Sequence, residues 1–266
     1  MATDKAHYVL YILGFFMEVK NHVVLFLDIL GYSNLLTSCV DLHTENAYLE
    51  KIHGLMSHLS KYIEARNSAI DQQGNSLNLS RFKSLLFSDN ILFFAPYDDE
   101  TDLNNLYMNL LYGLSAFLQQ YTKGDIFFRG GISKGNLFYD EKLHFVFGSG
   151  LVKAASLEKR ANYPRIAIDE ELNPSPILVG ITQDEDKMWY LDYLSVGYSL
   201  MNSPGSPQQY HEHFLSCLGE QQFAITNALH KNKDNDYILK KYQWLAKYHN
   251  DFCKRNNLTD LLIEFD

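Results

Sequence analysis

The sequence has few of the features that mark secreted or membrane-spanning proteins. Only three cysteines occur in 266 residues, Cys39, Cys217 and Cys253, and no two of them form a CxxC pair. An odd number of widely spaced cysteines argues against a disulfide framework and against a structural zinc site. The apolar run at residues 8–17 falls well short of the ~20 residues that a membrane-spanning helix needs. We therefore expect a cytoplasmic protein in which that run packs on the domain as a short helix or added strand, rather than serving as an interfacial anchor.

Positive charge is also scarce. The chain has 23 Lys and Arg against 32 Asp and Glu, which gives a formal net charge of -9. Such a field repels nucleic acid, so we expect no nucleic-acid binding, and any anionic ligand has to be held by local groups. The strand IFFRGG at residues 126–131 has the Phe and Arg of an RNA-stacking face, but the net charge argues against that interpretation. No GxSxG, Walker-type or HExxH motif occurs, which leaves hydrolase, P-loop and zinc-protease functions unsupported.

The sequence is otherwise that of a folded protein, with 46% hydrophobic and 14% aromatic residues. Apolar periodicity predicts these elements in order: a strand at 22–30, a helical region at 33–67 with a break near 41–44, a hairpin of 82–87 and 90–95, a helix at 103–121, strands at 126–133 and 143–147, a helix at 149–161, and strands at 165–169 and 188–194. This order suits an α+β sandwich with helices covering a mixed sheet. We expect an N-terminal extension over 1–22, a main domain over 23–195 and a helical appendage over 206–266.

Two acidic residues interrupt otherwise apolar strands. Asp28 follows VVLFL near the end of the first strand, and Asp89 lies in the tight turn of LLFSDNILFF. An isolated carboxylate is costly to bury, so each needs a cation, a capping donor or solvent. Adjacent strand ends would bring both within reach of the same divalent ions, although a turn or cap role for each one alone stays open.

Four motifs in order identify a family resemblance. They are FLDILGYS at 26–33, FSDNILFF at 87–94, FFRGGISKGNLFYD at 127–140 and FGSGLVKAASLEK at 147–159. This series resembles the catalytic domain of the class III nucleotide cyclases over roughly residues 23–195. The resemblance implies a ferredoxin-like α+β sandwich, here with a C-terminal helical extension. It also implies a head-to-tail homodimer with active sites between the subunits, and two divalent ions, Mn²⁺ or Mg²⁺, in each site.

The resemblance also implies roles for individual residues. Asp28 and Asp89 match the two metal-binding aspartates, Ile29 matches the residue that lends a carbonyl to a metal, and Arg129 matches the phosphate-binding arginine. The cyclisation of a nucleoside triphosphate suits such a set, because two ions lower the pKa of the attacking hydroxyl and neutralise the triphosphate. The turn after the first strand is expected to bind phosphates through the N–H groups of Ile29, Leu30, Gly31, Tyr32 and Ser33.

Two positions depart from the purine cyclases. Leu85 and Phe145 stand where those enzymes have polar residues that read the base, and neither side chain can hydrogen-bond a purine edge. An apolar pocket narrowed by Phe145 predicts a pyrimidine substrate. Lys83, two residues upstream of Leu85 on the same strand face, could substitute only if the strand register slips.

The residues expected to stabilise the transition state are also replaced. Val152 and Ser156 occupy the positions of the family's Asn and Arg. Lys153, Ser156 and Arg160 lie at i, i+3 and i+7 of the predicted helix, so Lys153 and Arg160 are candidate catalytic cations that act from the partner subunit. A simple solvated helix face is the alternative interpretation.

Three features carry a narrower resemblance. They are FSD at 87–89, the replacement of the family's Asn and Arg at Val152 and Ser156, and SLEKRANYPRIAID at 156–169. Together they resemble the pyrimidine cyclases of bacterial Pycsar antiphage systems, which make cyclic UMP or cyclic CMP to activate a separate effector. The resemblance implies UTP as substrate, with CTP next. A purine cyclase and a catalytically degenerate nucleotide-binding domain stay open. Within the tail, Tyr163-Pro164-Arg165 predicts a helix-to-strand corner, because proline disfavours helix at the residue before it.

Overall fold

The structure is a computed structural model. It describes residues 18–66, 81–122, 126–176, 180–203 and 205–265. The predicted apolar element at 8–17 lies outside these residues. Among the described helices, none is long and apolar enough to cross a membrane.

The described elements are a sheet and the helices around it. The strands are β1 (Lys20–Ile29), β2 (Lys83–Phe87), β3 (Asn90–Pro96), β4 (Phe128–Asp140), β5 (Phe145–Phe147), β6 (Ile166–Ile168), β7 (Ile181–Gln183) and β8 (Trp189–Leu191). The helices are α1 (Tyr32–Thr37), α2 (Leu42–Arg66), α3 (Glu100–Thr122), α4 (Ser149–Ala161), α5 (Tyr193–Met201), α6 (Gln208–Lys231) and α7 (Asp236–Arg255).

The sheet has a ferredoxin-like core. Its strand order is β2-β3-β1-β4-β6-β8-β7, and β5 pairs with β4 outside this path. The first four strands are antiparallel neighbours joined as β1, helices, β2–β3 hairpin, α3 and β4, which is the split βαβ arrangement. β4 then pairs in parallel with β6, which extends the sheet. The predicted α+β, ferredoxin-like fold class is confirmed.

β1 lies at the centre of this core because both of its faces are apolar. Val23, Leu25, Leu27 and Ile29 are buried in the larger hydrophobic cluster, together with residues of α2, α3, α6 and α7. Val24 belongs to a smaller cluster on the opposite face, with Ala154 of α4. Successive side chains of a strand alternate between faces, so Asp28 projects to the same face as Val24.

α4 approaches β4 closely and covers the face of the sheet to which Val24 projects. A side chain at Gly131 would collide with the carbonyl oxygen of Ala154 and with Leu157. Only glycine allows this contact, so the GG of IFFRGG sets the distance between the strand and the helix. Glu158, the next residue of α4, is thereby held over Arg129 of β4.

The C-terminal helices α6 and α7 pack on the larger cluster of the core. Phe214, Ile225, Leu245 and Phe252 are buried in it alongside the β1 side chains. Polar contacts accompany this packing: the Tyr248 hydroxyl donates to Asp192 Oδ1 at 2.8 Å. The predicted helical extension is present, and it shares its hydrophobic core with the sheet.

Most predicted elements are confirmed, with two corrections. β4 continues to Asp140, beyond the predicted end at 133, because residues 134–137 pair with the first residues of β1 and residues 138–140 pair with β5. The predicted strand at 188–194 ends at Leu191, and α5 begins at Tyr193. The Asp192 carboxylate accepts the N–H of Ser195 and so caps α5, which explains the change from strand to helix.

Candidate active site

The two predicted aspartates lie at the same edge of the sheet. Asp28 is opposite Asn90 of β3 and Arg129 of β4. The N–H of Ile29 donates to the Asp89 carbonyl oxygen at 3.1 Å, which fixes the hairpin turn beside the end of β1. The turn itself has Ser88 at a φ of 57°, a left-handed conformation that leaves Asp89 close to the Asp28 carboxylate. The structure therefore brings together the two side chains that sequence analysis paired.

Arg129 lies between two carboxylates. Its Nη2 is 3.1 Å from Asp28 Oδ2, and the same nitrogen contacts Glu158 Oε1 of α4. The Arg129 and Asp28 side chains are 19% and 18% exposed, whereas the Glu158 side chain is 5% exposed. The buried Nε of Arg129 has no hydrogen-bond partner among the described residues, so the guanidinium keeps an unused donor.

The surroundings of Asp28 disfavour its charged form. Burial, and then the negative charge of Glu158, raise the pKa of Asp28 to about 6, against the opposing effect of Arg129. The nearby Asp89 carboxylate raises this pKa further. A cation beside Asp28 would relieve both the burial cost and the repulsion between the carboxylates.

These groups fit a divalent cation. Asp28 and Asp89 supply hard carboxylate oxygens, and Ile29, next to Asp28 in the chain, has a backbone carbonyl, which is the ligand chemistry that Mg²⁺ and Mn²⁺ prefer. Within the described ranges, no group of three or more His, Cys, Asp or Glu side chains is arranged to hold a metal. The candidate metal site therefore consists of two carboxylates and one carbonyl, with substrate phosphates as the natural remaining ligands.

The structure narrows the predicted phosphate cradle. The N–H of Ile29 donates to Asp89, and the N–H of Leu30 donates to the Phe127 carbonyl oxygen at 2.9 Å. These two donors are used inside the chain and cannot also bind phosphate. The N–H groups of Gly31, Tyr32 and Ser33 remain as the predicted phosphate-binding donors.

The two predicted base-pocket residues are not packed together. Leu85 belongs to the smaller hydrophobic cluster on the Val24 face, together with Val146 of β5. Phe145 precedes Val146 in the strand, so its side chain projects to the other side, where it is half exposed. Within one chain, Leu85 has Val146 rather than Phe145 in its cluster. Their predicted role in reading the base stays a prediction.

The two candidate cations of α4 lie away from the aspartates of their own chain. Glu158 marks the helix face that meets Arg129, and Arg160 is rotated by roughly 200° from it at 100° per residue. Arg160 is exposed, and Lys153 lies nearly above it one heptad earlier. The Lys153 ammonium contacts both carboxylate oxygens of Glu171 at 2.7 Å. Their predicted role at the partner's site remains a prediction.

Sequence analysis missed Glu158 as part of the site. The buried residues Ala154, Leu157 and Ala161 define the apolar stripe of α4, and Glu158 lies on that same stripe. The signal is a charged residue four positions after a buried alanine, on the apolar stripe of the helix. Because the helix packs against a strand that contains an arginine, this charge points to an ion pair.

The backbone of the chain is similar to those of two solved bacterial adenylyl cyclases. No protein-family model matches the sequence, and no curated protein matches it. Its backbone is similar to the crystal structure of the adenylyl cyclase CyaB from P. aeruginosa, with a TM-score of 0.45 and 11% identity, covering 66% of this chain and 96% of that chain. It is also similar to the structure of a bacterial light-regulated adenylyl cyclase, with a TM-score of 0.44 and 11% identity, covering 77% of this chain and 59% of that chain. We therefore base the functional proposal on the residues of the site.

Proposed function

We propose that the protein is a nucleotide cyclase that converts UTP, or CTP, to a 3′,5′-cyclic nucleotide and pyrophosphate. The observation that supports this most is the placement of Asp28 and Asp89 at one sheet edge with Arg129 beside them. Two carboxylates that repel each other and a guanidinium within 3.1 Å of one of them form a site for a cation and a polyphosphate.

The reaction needs little covalent chemistry from the protein. The ribose 3′ oxygen forms a bond to the α-phosphorus, the bond from that phosphorus to the bridging oxygen breaks, and the hydroxyl proton is lost as pyrophosphate leaves. Two divalent ions, when bound, lower the pKa of the 3′-hydroxyl and neutralise the triphosphate. Asp28 and Asp89 would hold them and thereby fix the substrate in line for the attack.

Arg129 is suited to bind the substrate phosphates. In the structure its guanidinium is shared between Asp28 and Glu158. Once a cation neutralises Asp28, the guanidinium loses an electrostatic partner, and its free Nε–H can donate to a phosphate oxygen. Glu158 keeps the arginine aimed at the site throughout, so we assign Glu158 a positioning role.

The preference for a pyrimidine rests on Leu85 and on the resemblance to the Pycsar cyclases. Leu85 lies in a largely apolar cluster, and its own side chain cannot hydrogen-bond a purine edge. β2 pairs with β3 with Leu85 opposite Leu92, and the Lys83 ammonium forms an exposed ion pair with Glu141 Oε2 at 2.9 Å, so the proposal gives Lys83 no role in reading the base. We further propose that the cyclic nucleotide is a second messenger that activates a separate effector in antiphage defence.

The proposal includes a homodimer with shared sites. The β4–β5 hairpin carries three exposed apolar side chains, Leu143, Phe145 and Phe147. An apolar surface of this kind favours a partner. A head-to-tail partner would cover it, and it would bring Lys153 and Arg160 to the aspartates of the other chain.

The test is turnover of the purified protein with each of the four nucleoside triphosphates, with Mn²⁺ or Mg²⁺, and then with all four in competition. We expect equal amounts of pyrophosphate and cyclic UMP or cyclic CMP. A product dominated by cyclic AMP or cyclic GMP would contradict the pyrimidine assignment. Absence of pyrophosphate from all four substrates would support the degenerate nucleotide-binding domain instead.

A further inference from the structure

A cleft of about 620 Å³ lies between the sheet and the C-terminal helices. One wall is the end of β1 and the chain before β4, at Ile29 and Phe127, and α2 contributes Tyr48. The other wall is the end of α6 and the first turns of α7, which contribute Lys231 and Lys241. The volume lies in the range of small-molecule sites in proteins.

This cleft opens on the side of the sheet where Ile29 projects, and it meets the candidate active site at the turn after β1, because Ile29, Leu30 and Gly31 line it. Ile29 lines it and belongs to the larger core cluster. Asp28, the preceding residue, projects to the other face, where it meets Arg129 and Glu158. None of these three charged residues lines the cleft.

The charge of the cleft is unlike that of the whole protein. Its lining includes Lys51, Lys231 and Lys241, and among the described lining residues none is Asp or Glu. The chain as a whole has more acidic than basic residues, with a net charge of -9. A group of three lysines without a carboxylate therefore marks a local preference for an anion.

Lys241 is the residue most in need of an anionic partner. It is 8% exposed, and its ammonium lies 4.5 Å from the centroid of the Tyr237 ring. No carboxylate within the described ranges forms an ion pair with it. An ammonium that lines a cleft beside an aromatic ring and has no carboxylate partner is well placed to bind an anion that enters the cleft.

The cleft also offers groups that suit a nucleoside. The Tyr48 hydroxyl is buried and has no hydrogen-bond partner among the described residues. The rings of Tyr48, Tyr237 and Tyr242 line the same space as the lysines. Aromatic faces beside lysines and an unsatisfied hydroxyl match a ligand with a planar base, a sugar and a phosphate.

We propose that this cleft binds a nucleoside monophosphate, linear or 3′,5′-cyclic, with its phosphate at Lys241 and its base against the tyrosines. Such a ligand would contact the turn of Ile29 and Leu30, which is hydrogen-bonded to Asp89 on one side and to Phe127 on the other. Ligand binding would therefore alter the position of the Ile29 carbonyl and the rate at the candidate active site. This regulatory part rests on the proposed cyclase function, whereas the binding part does not.

Binding is tested first, without metal ions and without turnover. Calorimetric titration of the full chain in EDTA with UMP, AMP, cyclic UMP, ribose 5-phosphate and inorganic phosphate compares the ligand classes. We expect at least one nucleotide to bind about tenfold or more tightly than ribose 5-phosphate and inorganic phosphate. Failure of every nucleotide to bind at millimolar concentration, or equal binding of ribose 5-phosphate, would overturn the proposal.

Variants then locate the bound nucleotide. Lys241→Met removes the ammonium and keeps the aliphatic stem, and we expect it to weaken binding about tenfold or more, with Lys241→Arg restoring it. Lys240→Met is the matched control, because Lys240 is an exposed neighbour on α7 that does not line the cleft. If Lys241→Met fails to fold, Lys231→Met at an exposed position serves in its place. Loss of binding in Arg129→Ala, with retention in both cleft lysine variants, would place the ligand in the active site and overturn the proposal.

The regulatory part has its own measurement. In the wild-type protein we expect the nucleotide that binds to change the turnover rate at least threefold, and in Lys241→Met we expect that ratio to approach one. A ratio that is the same in both proteins would overturn regulation through the cleft. If the chain forms no cyclic nucleotide from any substrate, the proposed function fails, yet the binding titrations in EDTA still decide whether the cleft is a nucleotide site.

Discussion

The indole Nε1 of Trp244 donates a 2.7 Å hydrogen bond to Asp184 Oδ2, which ties α7 to the loop between β7 and β8. The same carboxylate contacts Arg165, whose side chain is completely buried and also contacts Asp186. The Trp244 ring stacks on Tyr163 with an angle of 6° between the ring planes. The Tyr-Pro-Arg sequence thus does more than turn a corner: it anchors the last helix to the core.

Arg165→Met is expected to destabilise the protein severely. The substitution keeps much of the side-chain volume but leaves the Asp184 carboxylate half-buried without its cation, a change that typically costs about 3–5 kcal/mol. The free energy of unfolding in urea measures it. Lys247→Met is the matched control, because Lys247 forms exposed ion pairs with Glu185 and Asp251 and should change that free energy by less than about 1 kcal/mol. Similar losses in the two variants would contradict the anchoring role.

Long periodic segments of this fold were predictable from sequence. The apolar run of β1 and the stripe of α4 each give a clear period, and the structure places α4 at the predicted residues, Ser149–Ala161. β7 was not predicted because it has only three residues and takes its conformation from pairing with β8. The first residues of α5 resemble a strand in composition. The helix begins there because the Asp192 carboxylate caps it, and the apolar residues around Asp192 hid this local signal.

The site was predictable only where strand order determines it. Asp28 and Asp89 meet because a β2–β3 hairpin beside β1 places its turn at the end of that strand. Glu158 is more than a hundred residues away from Asp28, and its contact with Arg129 depends on the helix crossing allowed by Gly131. The buried stripe of α4 marks Glu158 as an unusual charge, but the identity of its partner follows from tertiary packing, which the local pattern does not encode.

Asp28→Asn and Asp89→Asn are expected to abolish turnover. Each removes a carboxylate that we assign to the metal, so the charge of the triphosphate stays uncompensated, and we expect the rate to fall about 100-fold or more. Cyclic nucleotide formation with Mn²⁺ measures it, with circular dichroism to verify folding. Asp98→Asn is the control, because Asp98 is an exposed carboxylate at the opposite end of β3. Near-normal turnover in either site variant would refute the metal assignment.

Two buried histidines are expected to destabilise the protein in mild acid, and the raised pKa of Asp28 acts in the opposite direction. Burial lowers the pKa of His249, whose Nε2 lies 2.8 Å from the Leu261 carbonyl oxygen, and burial also lowers the pKa of His22. The unfolded chain binds a proton at these side chains below a pH of about 6.5, where the folded chain resists it, so unfolding is favoured as the pH falls through that value.

The slope of unfolding free energy between about pH 7.5 and about pH 5.5 tests this linkage. We expect His249→Gln to reduce the slope, since glutamine has no proton to gain, and His230→Gln, at an exposed position on α6, is the matched control. An identical slope in His249→Gln and wild type would exclude His249 as a contributor, whatever the absolute stability of the variant.

The exposed β4–β5 hairpin is expected to form part of a dimer interface. Phe147 is 62% exposed there, and Phe147→Asp would place a charge in the contact and favour the monomer. Light scattering after size-exclusion chromatography measures the molar mass. Phe223→Asp on α6 is the matched control, because Phe223 is 69% exposed on a different surface. Dissociation by both variants, or by neither, would count against this hairpin as the interface.

Two inactive variants are expected to complement each other if Arg160 acts from the partner subunit. A mixture of Asp89→Asn and Arg160→Ala proteins, unfolded and refolded together, forms heterodimers in which one of the two sites has both residues intact. Random pairing makes half of the dimers mixed, so about a quarter of the wild-type turnover should return. The control is a mixture of Asp28→Asn and Asp89→Asn, because those two residues belong to the same half of each site, and no intact site can form. Recovery in neither mixture, with dimers present in both, would reject a cross-subunit role for Arg160.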